Sequence, residues 1–328
     1  MSTILYSFKS LKPFLKKQKP SKVCVITSRS LEKIFARELR AIPANHVLYL
    51  PEGERAKEWC EVENLLKQFI KNGLDRKSII IAFGGGTIGD VVGFTSSIYL
   101  RGIRYIQVPT TLLAQVDSAH GGKTGINFLG LKNQVGDVYE PLAVVIETRF
   151  LSSLPKEEVI SGVGEIIKAG LIKAPSILSL LKQEKVSMLT KSPRLLALVK
   201  KSIVVKHFYT NNDLQEGGIR QMLNAGHTIG HALELKHHIS HGRAVLTGLL
   251  KELVISEALG LTSPKVKKNL TALLEQLEIP LNLNLKADWK SIVHDKKVAG
   301  DSILFPIIER EGKSRLVKLP LSNLREML

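Results

Sequence analysis

The stretch Ser78-Ile79-Ile80-Ile81-Ala82-Phe83-Gly84-Gly85-Gly86-Thr87-Ile88-Gly89-Asp90 joins a continuous apolar run to a glycine-rich turn. A short apolar run without polar alternation is typical of a strand that is buried on both faces of a parallel sheet. The glycines at 84, 86 and 89 satisfy G-x-G-x-x-G, a turn in which backbone N–H groups and a helix N-terminus can approach a pyrophosphate. This stretch predicts a nucleotide-binding strand–turn–helix unit.

The same alternation continues on both sides of this stretch. Further apolar runs predict strands at residues 22–27, 46–50, 105–108 and 143–147. Amphipathic stretches predict helices at residues 31–40 and 57–72. Repeated strand–helix alternation indicates a parallel sheet that is covered by helices. We therefore expect an α/β chain with a Rossmann-like parallel-sheet domain in residues 1–150.

The pattern changes after Pro155. Long helical stretches are predicted at residues 157–173, 193–209, 219–235, 243–259 and 265–277. Residues 302–308 and 315–319 flank a Glu-Gly-Lys turn and predict a hairpin. We expect residues 151–328 to form a second, mostly α-helical domain that binds metal and substrate.

The glycine turn departs from a standard Rossmann dehydrogenase in two ways. It follows two strand–helix units, whereas the standard motif lies on the first strand. Val108-Pro109-Thr110-Thr111 stands at the end of the next strand, where an acidic residue would bind the ribose. A dinucleotide would have to be held in some other way.

A second motif is Asn224-Ala225-Gly226-His227-Thr228-Ile229-Gly230-His231-Ala232-Leu233-Glu234, followed by His241-Gly242. His227 and His231 are one helical turn apart, and His241 could return to the same site. Converging imidazoles with one carboxylate from elsewhere suit a zinc-class ion. The pattern is not H-E-x-x-H, because Thr228 replaces the glutamate. Alone, the pair also fits a solvated helix face or a core pair with internal partners.

Composition excludes several classes of protein. The 44% hydrophobic and 23% charged content is that of a globular protein. Cys24 and Cys60 have no CxxC spacing, so we expect neither a disulfide framework nor a cysteine zinc site. No apolar run is long enough for a membrane span, and no convincing signal peptide is present, so we expect a cytoplasmic protein. Despite the net charge of +17, dispersed lysines and 5% aromatic residues argue against a nucleic-acid partner.

Several blocks together carry a family resemblance. They are GGGTIGD, Tyr99-Leu100-Arg101-Gly102, the run from Val108 to Ser118, residues 121–127, Lys132-Asn133, Gly164-Glu165-Ile166-Ile167-Lys168 and the histidine motif. From about Pro51 to about Lys297, the chain closely resembles the 3-dehydroquinate synthase family of sugar phosphate cyclases. The resemblance implies a carbon–oxygen lyase that converts 3-deoxy-D-arabino-heptulosonate 7-phosphate to 3-dehydroquinate and phosphate in the shikimate pathway. Transient oxidation by NAD, phosphate elimination, re-reduction and an intramolecular aldol are the implied steps.

The resemblance also implies roles for individual residues. Glu165, His227 and His241 match the ligands of a catalytic Zn²⁺ or Co²⁺ ion. His231 matches a histidine that contacts substrate or transfers protons. The remaining catalytic or substrate-binding positions are Arg101, Asp117, Lys123, Asn133, Lys168, Lys206, Glu216, Arg220, Asn224 and either Lys296 or Lys297.

The implied cofactor is NAD, held mainly by the first domain. Its matching positions are Glu52, Gly53, Glu54, Arg55, Ala56, Lys57, Gly86, Thr87, Ile88, Gly89, Asp90, Thr110, Thr111, Lys123, Lys132, Phe150, Leu151, Ser152 and Ser153. The expected partners are the phosphorylated keto acid substrate and a second copy in a homodimer.

Two residues depart from the family pattern. Arg243 stands where a glutamate is usual, and Ser28 stands where an Asp or Asn commonly meets the ribose. The short N-terminus is expected to lack an initial strand pair. Two alternatives share the expected architecture: another sugar phosphate cyclase, and a metal-dependent alcohol or glycerol dehydrogenase, which would release NADH.

Overall fold

A computed structural model describes residues 2–293 and 298–327 of the chain. The chain divides into two compact units, Met1–Leu151 and Ser152–Leu328, called here the N-terminal and C-terminal units. Among the described helices, none combines the length and apolar character needed to cross a lipid bilayer.

The N-terminal unit is built on a six-stranded parallel sheet. The strands of this unit are β1 (Thr3–Leu5), β2 (Val23–Thr27), β3 (His46–Tyr49), β4 (Ile79–Gly84), β5 (Arg104–Pro109), β6 (Lys123–Phe128), β7 (Leu131–Val138) and β8 (Ala143–Val145). The sheet has the order β1-β8-β5-β4-β2-β3, and every pairing in it is parallel. The predicted parallel sheet is confirmed, and β1 forms one edge of it.

Alternate residues of the central strand β4 enter two apolar cores on opposite faces of the sheet. Ile80 and Ala82 belong to one core, whereas Ile79, Ile81 and Phe83 belong to the other. Because both faces are covered, the strand is apolar throughout, as the uninterrupted run in the sequence indicated. The carboxyl end of β4 leads directly into the glycine turn.

The helices of the N-terminal unit are α1 (Leu11–Gln18), α2 (Arg29–Ile34), α3 (Ala36–Ala41), α4 (Trp59–Lys71) and α5 (Gly86–Ile98). The single helix expected at residues 31–40 was wrong. It divides at Phe35, whose φ of −116° and ψ of 31° leave the helical region. The helix expected from residue 57 begins at Trp59, because Gly53–Lys57 forms a 3₁₀ turn.

The C-terminal unit is mostly helical, as expected. Its helices are α6 (Lys156–Ile172), α7 (Ser176–Leu181), α8 (Val186–Leu189), α9 (Leu195–Asn212), α10 (His227–His237), α11 (His241–Ala258), α12 (Pro264–Gln276), α13 (Trp289–Val293) and α14 (Leu321–Met327). Its strands are β9 (Val298–Ala299), β10 (Ser302–Arg310) and β11 (Lys313–Pro320), which form an antiparallel sheet. The hairpin predicted near the C-terminus is confirmed as β10 and β11.

The helix predicted at residues 219–235 is interrupted. Ile219–Asn224 forms a 3₁₀ helix, and α10 starts afresh at His227. Gly226 between them has a φ of +79°, in the left-handed region that favours glycine. The break places His227 at the first position of its helix. His241 is likewise the first residue of α11.

Candidate functional site

Three side chains of the C-terminal unit converge on one point and form a candidate metal centre. Glu165 lies on α6, and His227 and His241 begin α10 and α11. One donor atom from each residue lies within 4.8 Å of the others, and we call these residues the metal triad. Glu165 Oε1 is 3.5 Å from Nε2 of both His227 and His241.

The other nitrogen of each imidazole is held by a neighbour. His227 Nδ1 lies 3.2 Å from the carbonyl oxygen of Ala225, and His241 Nδ1 lies 3.2 Å from Glu234 Oε2. A carbonyl or carboxylate oxygen can only accept, so both Nδ1 atoms carry hydrogen and donate. Nε2 of each ring is therefore directed towards Glu165. In metal-binding histidines, the ring nitrogen that does not bind the ion commonly donates a hydrogen bond, which orients the ring in this way.

Burial and charge set the protonation states of the triad. Burial acts to raise the pKa of Glu165, but the adjacent Lys168 ammonium and His241 outweigh it and lower this pKa to about 2. Burial, followed by the Lys168 charge, holds the pKa of His227 well below its ordinary value. Burial opposes protonation of His241, but Glu165 and Glu234 raise its pKa to about 9. Without metal, the triad thus pairs one anion with a neutral and a protonated imidazole.

This donor set fits a zinc-class ion. Two imidazoles and one carboxylate are the ligands of a catalytic zinc site with an open position. Among the residues that the structure describes, buried Glu165 Oε1 has no hydrogen-bond partner. A buried carboxylate oxygen whose nearest donors lie 3.5 Å away is poorly compensated, and a cation placed among the three side chains would satisfy it.

His231 has a different environment from that of the triad. Its ring centroid is 5.0 Å from that of His227, and the two rings are perpendicular. His231 is exposed, whereas His227 is buried. A histidine that is adjacent to a metal site but open to solvent can contact a substrate and transfer a proton.

Other predicted site residues lie close to one another in the C-terminal unit. Lys168 forms an ion pair with Glu165 Oε2. Asn224 Nδ2 donates to Glu216 Oε1 at 3.0 Å. Arg220 is almost fully buried, and its Nη1 donates to the carbonyl oxygen of Leu214 at 2.8 Å. These groups supply positive charge and amide donors around the 3₁₀ helix that precedes α10.

Three further lysines were predicted to bind the substrate. Lys206 is half-buried on α9. Lys296 and Lys297 lie outside the described residues.

The glycine turn of the N-terminal unit is closely packed. A Cβ on Gly89 would lie 2.5 Å from Gln107 Oε1, and one on Gly86 would lie 2.8 Å from Ser118 Oγ. Gly85 would similarly crowd Thr111, with 3.0 Å to its Cγ2. A side chain at these positions would require Gln107, Ser118 or Thr111 to move, so α5 packs closely against its neighbours. The N–H groups in the first turn of α5 remain suited to an anion.

A polar network joins the predicted NAD positions to the β6–β7 hairpin. The buried Lys57 ammonium donates to Asp90 Oδ2 at 2.6 Å and to Asn133 Oδ1 at 2.8 Å. Asn127 Nδ2 donates to Glu54 Oε2 at 2.8 Å, and Asn127 Oδ1 accepts from the backbone of Asn133. The structure thus brings Glu54, Lys57, Asp90 and Asn133 together.

Several of the residues predicted to bind the cofactor pack mainly against other apolar side chains. Ala56 and Ile88 belong to one apolar core of the N-terminal unit, and Phe150 belongs to the other. The Phe150 ring contacts Phe8, with centroids 5.4 Å apart. Leu151 is buried, whereas Ser152 and Ser153, the last two residues of the 3₁₀ helix Thr148–Ser153, are exposed.

The other cofactor and substrate positions of the N-terminal unit lie on several different elements. Thr110 is buried after β5, and Asp117 lies in a π-helical turn, Ala114–Ser118. Lys123 and Lys132 are exposed on β6 and β7. Arg101 follows the C-terminal end of α5 and so lies at the opposite end of that helix from Gly86. The structure does not bring Arg101 to the glycine turn.

Both departures from the family pattern have local partners. Arg243 Nε and Nη2 each donate to the Glu157 carboxylate at 2.8 Å. Arg243 therefore pairs with an acid of α6, and Glu234 is the carboxylate that holds Nδ1 of His241. Ser28 Oγ accepts from the backbone of Leu31 at 3.4 Å and caps α2.

Two residues that contact predicted site residues, Glu234 and Asn127, were not assigned a role from the sequence. Glu234 lies two turns after His227 on α10, so its spacing placed it on the same helix face. Asn127 is 73 residues from Glu54 in the chain, and nothing in the local sequence indicates that contact. The first residue could have been found from periodicity, and the second could not.

Comparison with known proteins gives the same family over both units. Residues 47–161 match the family described as 3-dehydroquinate synthase N-terminal, and residues 162–298 match 3-dehydroquinate synthase C-terminal. The 3-dehydroquinate synthase of Dictyoglomus thermophilum is 38% identical over 323 residues, covering 96% of this chain and 91% of that protein. The same enzyme of Alkaliphilus metalliredigens is 37% identical, covering 99% and 94%.

Solved structures share the architecture. A 2-deoxy-scyllo-inosose synthase in complex with carbaglucose-6-phosphate, NAD⁺ and Co²⁺ has a TM-score of 0.87 at 27% identity, covering 98% of this chain and 95% of that one. A 2-epi-5-epi-valiolone synthase from Streptomyces hygroscopicus, with NAD⁺ and Zn²⁺ bound, also has a TM-score of 0.87. It is 20% identical, with 100% and 95% coverage, and this likeness establishes the fold alone.

Proposed function

This chain belongs to the 3-dehydroquinate synthase family, and on that premise we propose that it converts 3-deoxy-D-arabino-heptulosonate 7-phosphate to 3-dehydroquinate and phosphate. It would act as a carbon–oxygen lyase in the shikimate pathway, towards aromatic amino acids. The single observation that carries the proposal is the metal triad, in which Glu165, His227 and His241 offer three donors around one point.

The proposed metal is Zn²⁺ or Co²⁺, held by the triad. When bound there, such an ion supplies Lewis acidity towards a substrate oxygen. The lowered pKa of His227 supports this role, because a neutral imidazole is a metal ligand. Lys168 keeps Glu165 ionised and so maintains the carboxylate donor. Glu234 holds the His241 ring in the orientation that presents Nε2.

The proposed cofactor is NAD, held by the N-terminal unit. When bound, NAD would supply reversible hydride transfer. The N-terminus of α5 would receive the pyrophosphate, as at other helix N-termini that follow glycine turns. Glu54, Lys57 and Asp90 form one connected network, and this supports a single cofactor surface. The other predicted NAD positions are part of this proposal.

The substrate carries a carboxylate and a phosphate, both of which require fixed positive charge. Arg220, Lys206 and Asn224 supply cationic and amide donors in the C-terminal unit, and Glu216 orients the Asn224 amide. His231 is exposed beside the triad, so it can receive or return a proton on the substrate. Lys123, Asp117, Asn133 and Arg101 are the proposed contributors of the N-terminal unit.

Direct assay of the purified protein with NAD, Zn²⁺ and the seven-carbon keto acid phosphate tests the function. We expect stoichiometric phosphate and dehydroquinate without net NADH, because the hydride returns in each turnover. No phosphate release at saturating substrate and metal would refute the proposal. Sustained NADH accumulation on another alcohol would support the dehydrogenase alternative, and turnover of a different sugar phosphate would support another cyclase.

We further propose a cytoplasmic homodimer. Two free cysteines, one of them exposed, suit a reducing compartment. Size-exclusion chromatography with light scattering tests the dimer, and a monomer mass would contradict it.

A further inference from the structure

The start of α10 lacks a side-chain cap of its own. Its N-cap residue is Gly226, which has no side chain to accept from the first-turn N–H groups. These N–H groups require acceptors when they are buried. Here an acceptor comes from another helix. Glu252 Oε2 on α11 accepts from Gly226 N at 2.6 Å, and Glu252 Oε1 lies 3.5 Å from Ile229 N.

The two helices approach closely enough for this contact. A Cβ on Gly248 would lie 2.0 Å from the Gly226 carbonyl oxygen, and one on Gly230 would lie 2.9 Å from the Ala244 carbonyl oxygen. Only glycine allows these backbones to meet at such distances. Glu252 follows Gly248 by about one turn, and its side chain is only 4% exposed. A carboxylate buried to this degree is unfavourable unless hydrogen bonds compensate its desolvation.

The two N–H groups bonded by Glu252 lie on either side of His227 in the chain. The His227 ring has one further constraint at Nδ1, from the Ala225 carbonyl oxygen. Rotation of this backbone segment would turn Nε2 away from Glu165. The Glu252 carboxylate therefore restrains the direction of a metal ligand that it does not itself contact.

We propose that Glu252 is a positioning residue for the metal centre, acting through the backbone at His227. This inference rests on the proposed function, since it presupposes that the triad binds an ion. Glutamine at this position would keep the size of the side chain. Its amide NH₂ would then face a backbone N–H group, so one of the two contacts would be lost.

The test compares full-length wild-type protein with Glu252→Gln in two measurements made without substrate. The first is the Zn²⁺ Kd, from competition with a chromophoric chelator. The second is the visible absorption spectrum of the Co²⁺-loaded protein, which reports ligand geometry. We expect the Kd to rise about tenfold, as for other changes in the groups that orient metal ligands. The Co²⁺ bands should also shift in position or intensity.

Glu257→Gln is the matched control, because Glu257 lies further along α11 and pairs with Lys267 at 2.8 Å. It should leave both measurements unchanged. If Glu252→Gln does not fold, Glu252→Asp replaces it, since the shorter carboxylate cannot reach both N–H groups, and the same readouts apply.

Two results would overturn the inference. An unchanged Kd and spectrum in a destabilised Glu252→Gln would show a purely structural role. Failure of the wild-type protein to bind Zn²⁺ would instead remove the proposed metal centre together with this inference.

Discussion

Gly164 and Gly242 lie in direct contact between α6 and α11. A Cβ on Gly164 would be 3.3 Å from Gly242 Cα, and a Cβ on Gly242 would be 2.4 Å from the Ile160 carbonyl oxygen. Each glycine is adjacent to a triad residue, Glu165 or His241. Their close approach brings the ends of these two side chains within 3.5 Å of one another.

Substitution of Gly242 by alanine should therefore separate α6 from α11. We expect a loss of about 1–3 kcal/mol in the free energy of unfolding, as for other overpacked positions. Zn²⁺ affinity should fall as well, because His241 would move away from Glu165. Urea denaturation and chelator competition measure the two effects. Gly217→Ala is the control, since its Cβ would meet no atom of the described residues within 4 Å. Equal stability of the two variants would contradict the packing argument.

The two histidines of α10 should behave differently towards metal. We expect His227→Ala and Glu165→Ala each to lose stoichiometric Zn²⁺, because each supplies a donor to the triad. His231→Ala should retain the ion and lose turnover by about 10²–10⁴-fold, the usual range for a proton-transfer group. Metal analysis after gel filtration and a phosphate-release assay measure these effects. Loss of metal from His231→Ala to the same extent as from His227→Ala would show that the roles are misassigned.

Asp75 should contribute stability that depends on pH. Its Oδ1 accepts from Ser21 Oγ and, at 2.9 Å each, from Ser78 Oγ, Ser78 N and Lys77 N. The hydrogen bond from Ser21, followed by that from Ser78, lowers the pKa of Asp75 from 3.8 to about 2. Because the folded state has the lower pKa, the contribution is complete above the unfolded pKa and is lost as the pH falls towards about 2.

Asp75→Asn should accordingly have a lower free energy of unfolding than the wild-type protein at about pH 7. This difference in free energy between the two proteins should become smaller below about pH 4. Urea unfolding at a series of pH values measures this difference. A difference that stays constant down to about pH 3 would exclude the charge as its source.

The two cysteines should differ in reactivity. Burial raises the pKa of Cys24 to about 12, whereas Cys60 is exposed. Because the thiolate is the reactive form, a disulfide reagent should label one thiol in the native protein and two in urea. Cys60→Ser should abolish native labelling. Two native thiols reacting at equal rates would contradict the burial of Cys24.

The sequence predicted those parts of the fold that depend on local patterns. The apolar run before Gly84 marked β4, and the turn residues at Glu311 and Gly312 marked the β10–β11 hairpin. The β6–β7 hairpin was missed. Almost all of β7 is exposed, so it has no apolar alternation to distinguish it from a loop. The break at Gly226 was also missed, since apolar spacing continues across it.

The same distinction, between local sequence patterns and contacts of distant segments, applies to the candidate site. The family resemblance, and not spacing, separated His231 from the predicted ligands. Glu252 could not be predicted, because its contact with Gly226 depends on the packing of α10 against α11. Lys57 illustrates the same limit. Its charge was visible in the sequence, but its contacts with Asp90 and Asn133 require three segments to fold together.

Each residue of the triad belongs to a different helix, α6, α10 or α11. A bound ion would therefore cross-link three segments of the C-terminal unit, and unfolding would have to release it. Free ion at a hundred times its Kd would add about 2.7 kcal/mol to the free energy of unfolding. The lifetime of the folded enzyme in a cell would then depend on the supply of the metal as well as on the sequence.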